Sequence, residues 1–310
     1  MNPIILVSIG DLAGVNPHLI IDTAKKFPNT IFRLMADYCV FKEFLSDRKD
    51  KNTPSNIQFI DIGMKYGKLV KGRENRYSSY LAYTSLLASI DEMHSNGDKY
   101  KGLLTLPLSK KGISVYKPGF IGHTEMLAQE FKASVSMLLY SKEITVCPMT
   151  THIPLKSVSR SLSYKLIKTT VSNIEVFYRQ YLKKNPKMKV LCINPHCSDN
   201  GLLGDEDMRM GLWVKKVKLL SSNVDGPVCA DSAFTENERK STDVFITPYH
   251  DQALIPFKML SMHEGVNITV GLPFVRISPA HGPAYDKANA FKNIDTGSTE
   301  KCIEFLMNIK

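Results

Sequence analysis

Val190-Leu191-Cys192-Ile193-Asn194-Pro195-His196 is an apolar run, a proline stop and a histidine, in that order. The order returns at Val244-Phe245-Ile246-Thr247-Pro248-Tyr249-His250. A looser copy, Ile144-Thr145-Val146-Cys147-Pro148, runs on to Thr151-His152. Each histidine thus follows an apolar strand that a proline ends. In open α/β sheets, ligands bind beyond the carboxyl ends of the strands. His152, His196 and His250 are therefore candidates for one metal site. Neutral imidazole suits a divalent transition metal, and three protein ligands leave a position open for substrate. The alternative for each histidine alone is a loop hydrogen bond, and the repeated order favours a shared role.

Outward from these runs, strands and helices alternate. Strands are expected at Ile4–Ser8, Ile31–Met35, Ile57–Ile62, Leu103–Thr105, Met137–Tyr140, Ile144–Cys147, Val190–Ile193, Val244–Thr247, Val266–Val270 and Phe274–Ile277. Helical spacing marks Pro17–Lys26, Ser78–Met93, Tyr164–Lys183, Asp205–Leu220 and Thr299–Asn308. Asp47–Pro54 and Ser222–Pro227 read as polar loops. The alternation predicts an α/β protein with largely parallel sheets. Its 310 residues suit two interwoven lobes, with 1–130 plus 280–310 in one and 131–279 in the other.

Composition narrows the function classes. The hydrophobic fraction of 43% and charged fraction of 23% are those of an ordinary folded chain. No apolar run is long enough to span a bilayer, and no secretory leader opens the sequence, so a cytoplasmic location is expected. The net charge of +10 is dispersed among acidic residues, which speaks for a solvated surface and an anionic small substrate rather than nucleic acid. The six cysteines form no CxxC pair and read as reduced thiols, with Cys197 incidental to the histidine before it.

Two further stretches carry chemistry. Gly119-Phe120-Ile121-Gly122-His123-Thr124-Glu125 opens a helix over Met126–Phe131. Thr124 could cap it, and a helix start attracts phosphate or carboxylate. After His250 come Lys258, Asn267 and Arg276, a cation pair and an amide suited to a doubly anionic substrate. A dinucleotide-binding G-x-G-x-x-G after a strand, a phosphate loop and an H-E-x-x-H helix are all absent.

The order of these motifs resembles the 4-hydroxythreonine-4-phosphate dehydrogenase family of vitamin B6 biosynthesis. The likeness runs from Gly10-Asp11-Leu12-Ala13-Gly14-Val15-Asn16-Pro17 through Thr105-Leu106-Pro107, Gly122-His123-Thr124-Glu125, Thr151-His152-Ile153-Pro154-Leu155 and Asn194-Pro195-His196. It continues through Asp225-Gly226-Pro227, Ala230-Asp231-Ser232, Tyr249-His250-Asp251-Gln252 and Gly265–Arg276 to His281-Gly282-Pro283-Ala284.

The resemblance implies a fold like isocitrate and isopropylmalate dehydrogenases, two α/β lobes with a central cleft, in a homodimer. It implies one divalent metal (zinc, cobalt or magnesium) on His152, His196 and His250, shared across the dimer interface. Substrate contacts fall on His123, Thr124, Lys258, Asn267 and Arg276, and all eight of these positions are retained. Lys258, Asp251 and Asp231 become catalytic candidates, the two aspartates by orienting the histidines. His281, Gly282 and Asp286 become contacts of NAD, with NADP as the alternative. The implied reaction oxidises 4-phosphooxy-L-threonine, and decarboxylation then gives 3-amino-2-oxopropyl phosphate.

Departures from the family pattern are Leu12, Asn16, His18, Ser109, Ala280 and Pro283, and Ala288-Asn289-Ala290-Phe291 where two glycines are usual. They keep two rivals open: a dehydrogenase of a threonate or erythronate phosphate, and a non-catalytic binder of phosphorylated metabolites. An acyltransferase on a similar fold is disfavoured, because that chemistry needs no three-histidine metal site.

Overall fold

The apolar run Ile4–Ser8 forms β1, buried from Ile5 onward, as a parallel strand covered on both faces should be. The computed structural model describes residues 2–46, 52–68, 70–221, 223–288 and 294–309. The other strands are β2 Ile31–Met35, β3 Ile57–Ile60, β4 Leu103–Thr105, β5 Ser136–Tyr140, β6 Thr145–Pro148, β7 Met188–Leu191, β8 Val224–Val228, β9 Val244–Thr247, β10 Val266–Val270 and β11 Arg276–Pro279. Two units divide the chain: Met1–Phe131 with Pro273–Asn308, and Lys132–Leu272 with Ile309–Lys310. The second crossing falls at 272/273, seven residues before the expected 280. β11, with Arg276 at its head, therefore belongs to the first unit, where it pairs with β4.

In the first unit the order is β3-β2-β1-β4-β11, and every described pairing is parallel. The long helix Arg76–Asn96 begins where Asn75 accepts a hydrogen bond from the Ser78 amide (2.9 Å), two residues before the expected start. The glycines of the opening motif are set by close approach. Gly10 has φ +59°, and a Cβ there would lie 2.3 Å from the Pro107 carbonyl oxygen. A Cβ on Gly14 would lie 2.2 Å from the Pro283 carbonyl oxygen, which also accepts from the Val15 amide (3.0 Å). The first and last motifs of the sequence are thereby packed backbone to backbone.

In the second unit the order is β10-β5-β6-β9-β7-β8. β5 runs antiparallel to both neighbours, and β6, β9, β7 and β8 are mutually parallel. Leu139, Ile144, Val146, Leu191, Phe245, Ala253 and Phe257 form a core between this sheet and the helix His250–Ser261. The helix Tyr164–Phe177 is capped by Ser163 and buries Ile167, Thr170, Val171, Ile174 and Phe177, a helical stripe. It does not run unbroken to Lys183: Tyr178–Leu182 widens into a π-helical turn, closed by left-handed Lys183.

The expected loop Ser222–Pro227 becomes β8 from Val224 on, paired with β7. As the outer strand of its unit it tolerates Pro227, which a central strand would not. Of the other expected loop, Asp47–Pro54, residues 47–51 lie outside the described residues. No described helix is long and apolar enough to cross a membrane.

Candidate functional site

Two groups of expected site residues are built differently, one in each unit. In the first unit, Arg276 is 2% exposed at the head of β11. Its Nε (3.0 Å) and Nη2 (2.6 Å) donate to Thr105 Oγ1 at the end of β4, and Nη1 reaches Thr124 Oγ1 at 3.5 Å. Burial lowers the guanidinium pKa to about 10, because the charge has lost its water.

Thr124 is not the cap of its helix. The helix spans His123–Glu130 and its cap position is Gly122, with no side-chain cap. Thr124 sits two residues inside the cap position, and its hydroxyl faces Arg276. His123 precedes it with Nε2 buried and without a hydrogen-bond partner. Burial first, then the charges of Arg276 and Lys110, hold its imidazole well below 6.5, so it is neutral at pH 7. A buried guanidinium, a lysine, a hydroxyl, an open imidazole nitrogen and a helix start, with the Glu125 carboxylate in the same turn, make a polar group with the chemistry to take up an anion.

In the second unit, His152 and His250 come together. Their ring centroids are 6.0 Å apart, and both line a cavity of about 250 Å³ with Thr150, Thr151, Tyr249 and Asp251. Strands β6 and β9 are neighbours in register Pro148↔Thr247, so the segments that follow them must emerge side by side. His250 opens the helix His250–Ser261, and its Nδ1 lies 2.6 Å from Asp251 Oδ1. That contact leaves Nε2 pointing away as a potential ligand.

His196 is exposed, on a turn after β7. From His196 to Asn200 five successive residues take φ of 44–64°, a left-handed run that non-glycine residues seldom adopt in series. Asp207 holds the approach and the turn: its carboxylate accepts from the amides of Ile193 (2.7 Å) and Asn194 (3.1 Å) and from Ser198 Oγ (2.7 Å). Among the described residues of one chain, the three histidines do not bring their nitrogens within 4.8 Å of one another as a set. Lys258 is exposed on the same helix as His250, and Asn267, on β10, keeps a buried and unpartnered Oδ1. Asp231 is exposed, in the short helix Ala230–Ala233.

Of the expected cofactor contacts, His281, Gly282 and Asp286 are all exposed, with His281 Nδ1 2.9 Å from the Gly282 carbonyl oxygen. Asn289, Ala290 and Phe291, where the glycines would stand, lie outside the described residues.

Sequence reasoning missed two clusters. Asp11 is fully buried and accepts from Tyr285 Oη (2.7 Å) and the Ala13 amide (2.9 Å), with its pKa raised by burial. Asp11 stood in the quoted opening motif, but Tyr285 is 274 residues away in sequence. The second cluster is Cys192, Cys197 and Cys229, so Cys197 is not isolated.

A family profile described as pyridoxal phosphate biosynthetic protein PdxA matches residues 14–306. The 4-hydroxythreonine-4-phosphate dehydrogenase of Aquifex aeolicus is 34% identical over 306 residues, covering 93% of this chain and 92% of its own. The D-threonate 4-phosphate dehydrogenase of Pectobacterium atrosepticum is 30% identical, covering 93% and 94%. The crystal structure of 4-hydroxythreonine-4-phosphate dehydrogenase from Klebsiella pneumoniae superposes with a TM-score of 0.83 at 28% identity, over 99% of this chain and 98% of that one. Isocitrate dehydrogenase from Methylococcus capsulatus shares the fold, at a TM-score of 0.52 and 13% identity over 99% and 85%.

Proposed function

This chain belongs to the PdxA family of pyridoxal phosphate biosynthetic proteins and is a dehydrogenase, and from that premise we propose that it oxidises 4-phosphooxy-L-threonine with NAD and a divalent metal. The observation that carries this reading is the buried Arg276 beside Thr124 and His123, an anion receptor at positions where the family places substrate contacts. Arg276 and Thr124 hold the phosphorylated substrate's anionic group. His123, kept neutral, offers its unpartnered Nε2 without adding a charge. Lys258 and Asn267 supply further polar contacts, and His281, Gly282 and Asp286 are assigned to the dinucleotide.

The donor set in the second unit fits a divalent transition metal. His152 and His250 share one cavity, and Asp251 orients His250 with Nε2 outward. A third imidazole, with His196 in the set, completes the site across a homodimer interface. Exposed apolar side chains on the same elements as two of these histidines are consistent with a second copy covering them: Leu202 (82% exposed), at the end of the turn that carries His196, and Met259 (81%), further along the helix that His250 opens. Bound there, the metal would polarise the substrate's hydroxyl and then its ketone, so that hydride loss to the nicotinamide and decarboxylation to 3-amino-2-oxopropyl phosphate become accessible.

A second reading, oxidation of D-threonate 4-phosphate, is favoured by the comparable 30% identity to an enzyme of that name and by Ala280 and Pro283. A panel of both substrates with NAD, NADP and added zinc, cobalt or magnesium, read by nicotinamide absorbance, separates the two. Turnover of phosphooxythreonine with NAD is expected. Preference for the sugar-acid phosphate would displace the first reading, and turnover of neither would sink both.

A further inference from the structure

Cys192, Cys197 and Cys229 are scattered in sequence and gathered in space. Their sulfurs lie within 4.8 Å of one another, with Cys197 Sγ 3.3 Å from Cys229 Sγ. Among the described residues, no other three histidine, cysteine or carboxylate ligand atoms converge so tightly. Cys192 follows β7, Cys229 follows β8, and these parallel neighbours deliver both to the same end of the sheet. Cys197 arrives differently, on the left-handed run that Asp207 pins in place. Cys192 is buried, while Cys197 and Cys229 are half-buried, so the group opens to solvent on one side.

We propose that these three thiols form a binding site for a soft d10 cation, copper(I) above all. Thiolate sulfur selects copper(I) and zinc over hard cations. With metal–sulfur bonds of about 2.3 Å, three sulfurs around one ion stand roughly 4 Å apart, which the cluster matches within small side-chain rotations. Structural zinc sites close with four ligands, whereas this group offers three, the number that suits copper(I). A disulfide between Cys197 and Cys229 would leave Cys192 unused, whereas a cation engages all three. Cys197 is the chain neighbour of His196, but no histidine belongs to this group of ligand atoms, and the proposal does not depend on the dehydrogenase reading.

The test uses the full chain, reduced and stripped of metal. It is titrated anaerobically with copper(I) against a chromophoric chelator, and separately with cadmium(II), watching for sulfur-to-metal charge transfer in the ultraviolet. One equivalent of each is expected, with the cadmium band present. Losing a residue that only orients a ligand costs about 10–100-fold in metal affinity, so Cys197→Ser and Cys229→Ser should each cost at least about a hundredfold. Cys39→Ser and His152→Ala should leave the thiolate band intact. Circular dichroism checks each fold, and Cys229→Ser, outside the left-handed run, carries the test if Cys197→Ser unfolds. The proposal is overturned by absence of the band, by its survival in a folded Cys229→Ser, or by its loss in His152→Ala. Recovery of a Cys197–Cys229 disulfide from protein kept in reductant would overturn it as well.

Discussion

Arg276 and His196 are both basic side chains at candidate sites, and the chain holds them in opposite ways. Arg276 is buried, shares Thr105 through two of its nitrogens and has lost its water. His196 stands exposed on a strained turn. Burial, the Thr105 hydroxyl and the nearby Glu125 carboxylate all act on Arg276 within one chain, so on the proposed reading its group is an anion receptor already organised before any partner arrives. An exposed imidazole carries little desolvation cost, so on the proposed reading the His196 turn is a half-site that a second copy completes. The contrast predicts that the first group fails through binding and the second through assembly.

The sharpest way to break that contrast is His196→Ala. The metal's charge stabilisation is worth several kcal/mol, so turnover should fall on the order of a thousandfold. Because the side chain is exposed, folding stability should change by no more than about 0.5 kcal/mol. Elemental analysis beside steady-state rates checks this: full metal content with full activity would remove His196 from the site. Arg276→Met comes next. Truncating one partner of a buried charged pair costs about 2–5 kcal/mol, so kcat/KM should fall by about a hundredfold, mostly through KM, with Arg276→Lys between the two. If ligand-free Arg276→Met instead loses more than about 3 kcal/mol of stability in urea, the arginine is a structural strut rather than a receptor.

Asp251→Asn should act more weakly. It keeps the shape beside His250 Nδ1 and removes the charge that fixes the tautomer. Metal affinity should drop about 10–100-fold, and unchanged affinity would reduce Asp251 to a surface carboxylate.

What the sequence could disclose follows the same division. Buried parallel strands are written as uninterrupted apolar runs, so β1 and β9 are legible from Ile4–Ser8 and Val244–Thr247 alone. β8 is not, because Asp225-Gly226-Pro227 spells a turn and only an edge position lets it pair. Thr124 was expected as a helix cap from its residue type, yet the cap is Gly122, a shift of two residues that turns a structural role into a contact with Arg276. The proline-stopped strands point at His152 and His250, and neighbouring β6 and β9 make them meet. Nothing local announces the left-handed run at His196 or the cysteine group it completes, since Asp207 imposes both from the following helix.

His123 gives the smallest effect and the finest test of the finished receptor. Burial and the nearby cations hold its imidazole well below 6.5. Between that lowered pKa and 6.5, the unfolded chain binds a proton that the folded chain refuses. Its contribution to stability is therefore complete above about pH 6.5 and is lost as pH falls below it, with a limiting slope of about 1.4 kcal/mol per pH unit for one proton. Other groups titrate in the same range, so the informative quantity is wild type minus His123→Gln, from urea midpoints between about pH 7.5 and pH 5. That difference should shrink steadily as the solution is acidified, because glutamine offers no proton site in either state. Saturating inorganic phosphate should oppose the shrinkage, since an anion beside Nε2 favours the imidazolium and raises its pKa in the folded protein. A difference that stays flat with pH would mean that His123 titrates as freely as an exposed histidine, and the Arg276 group would then be open to water rather than closed around its guest.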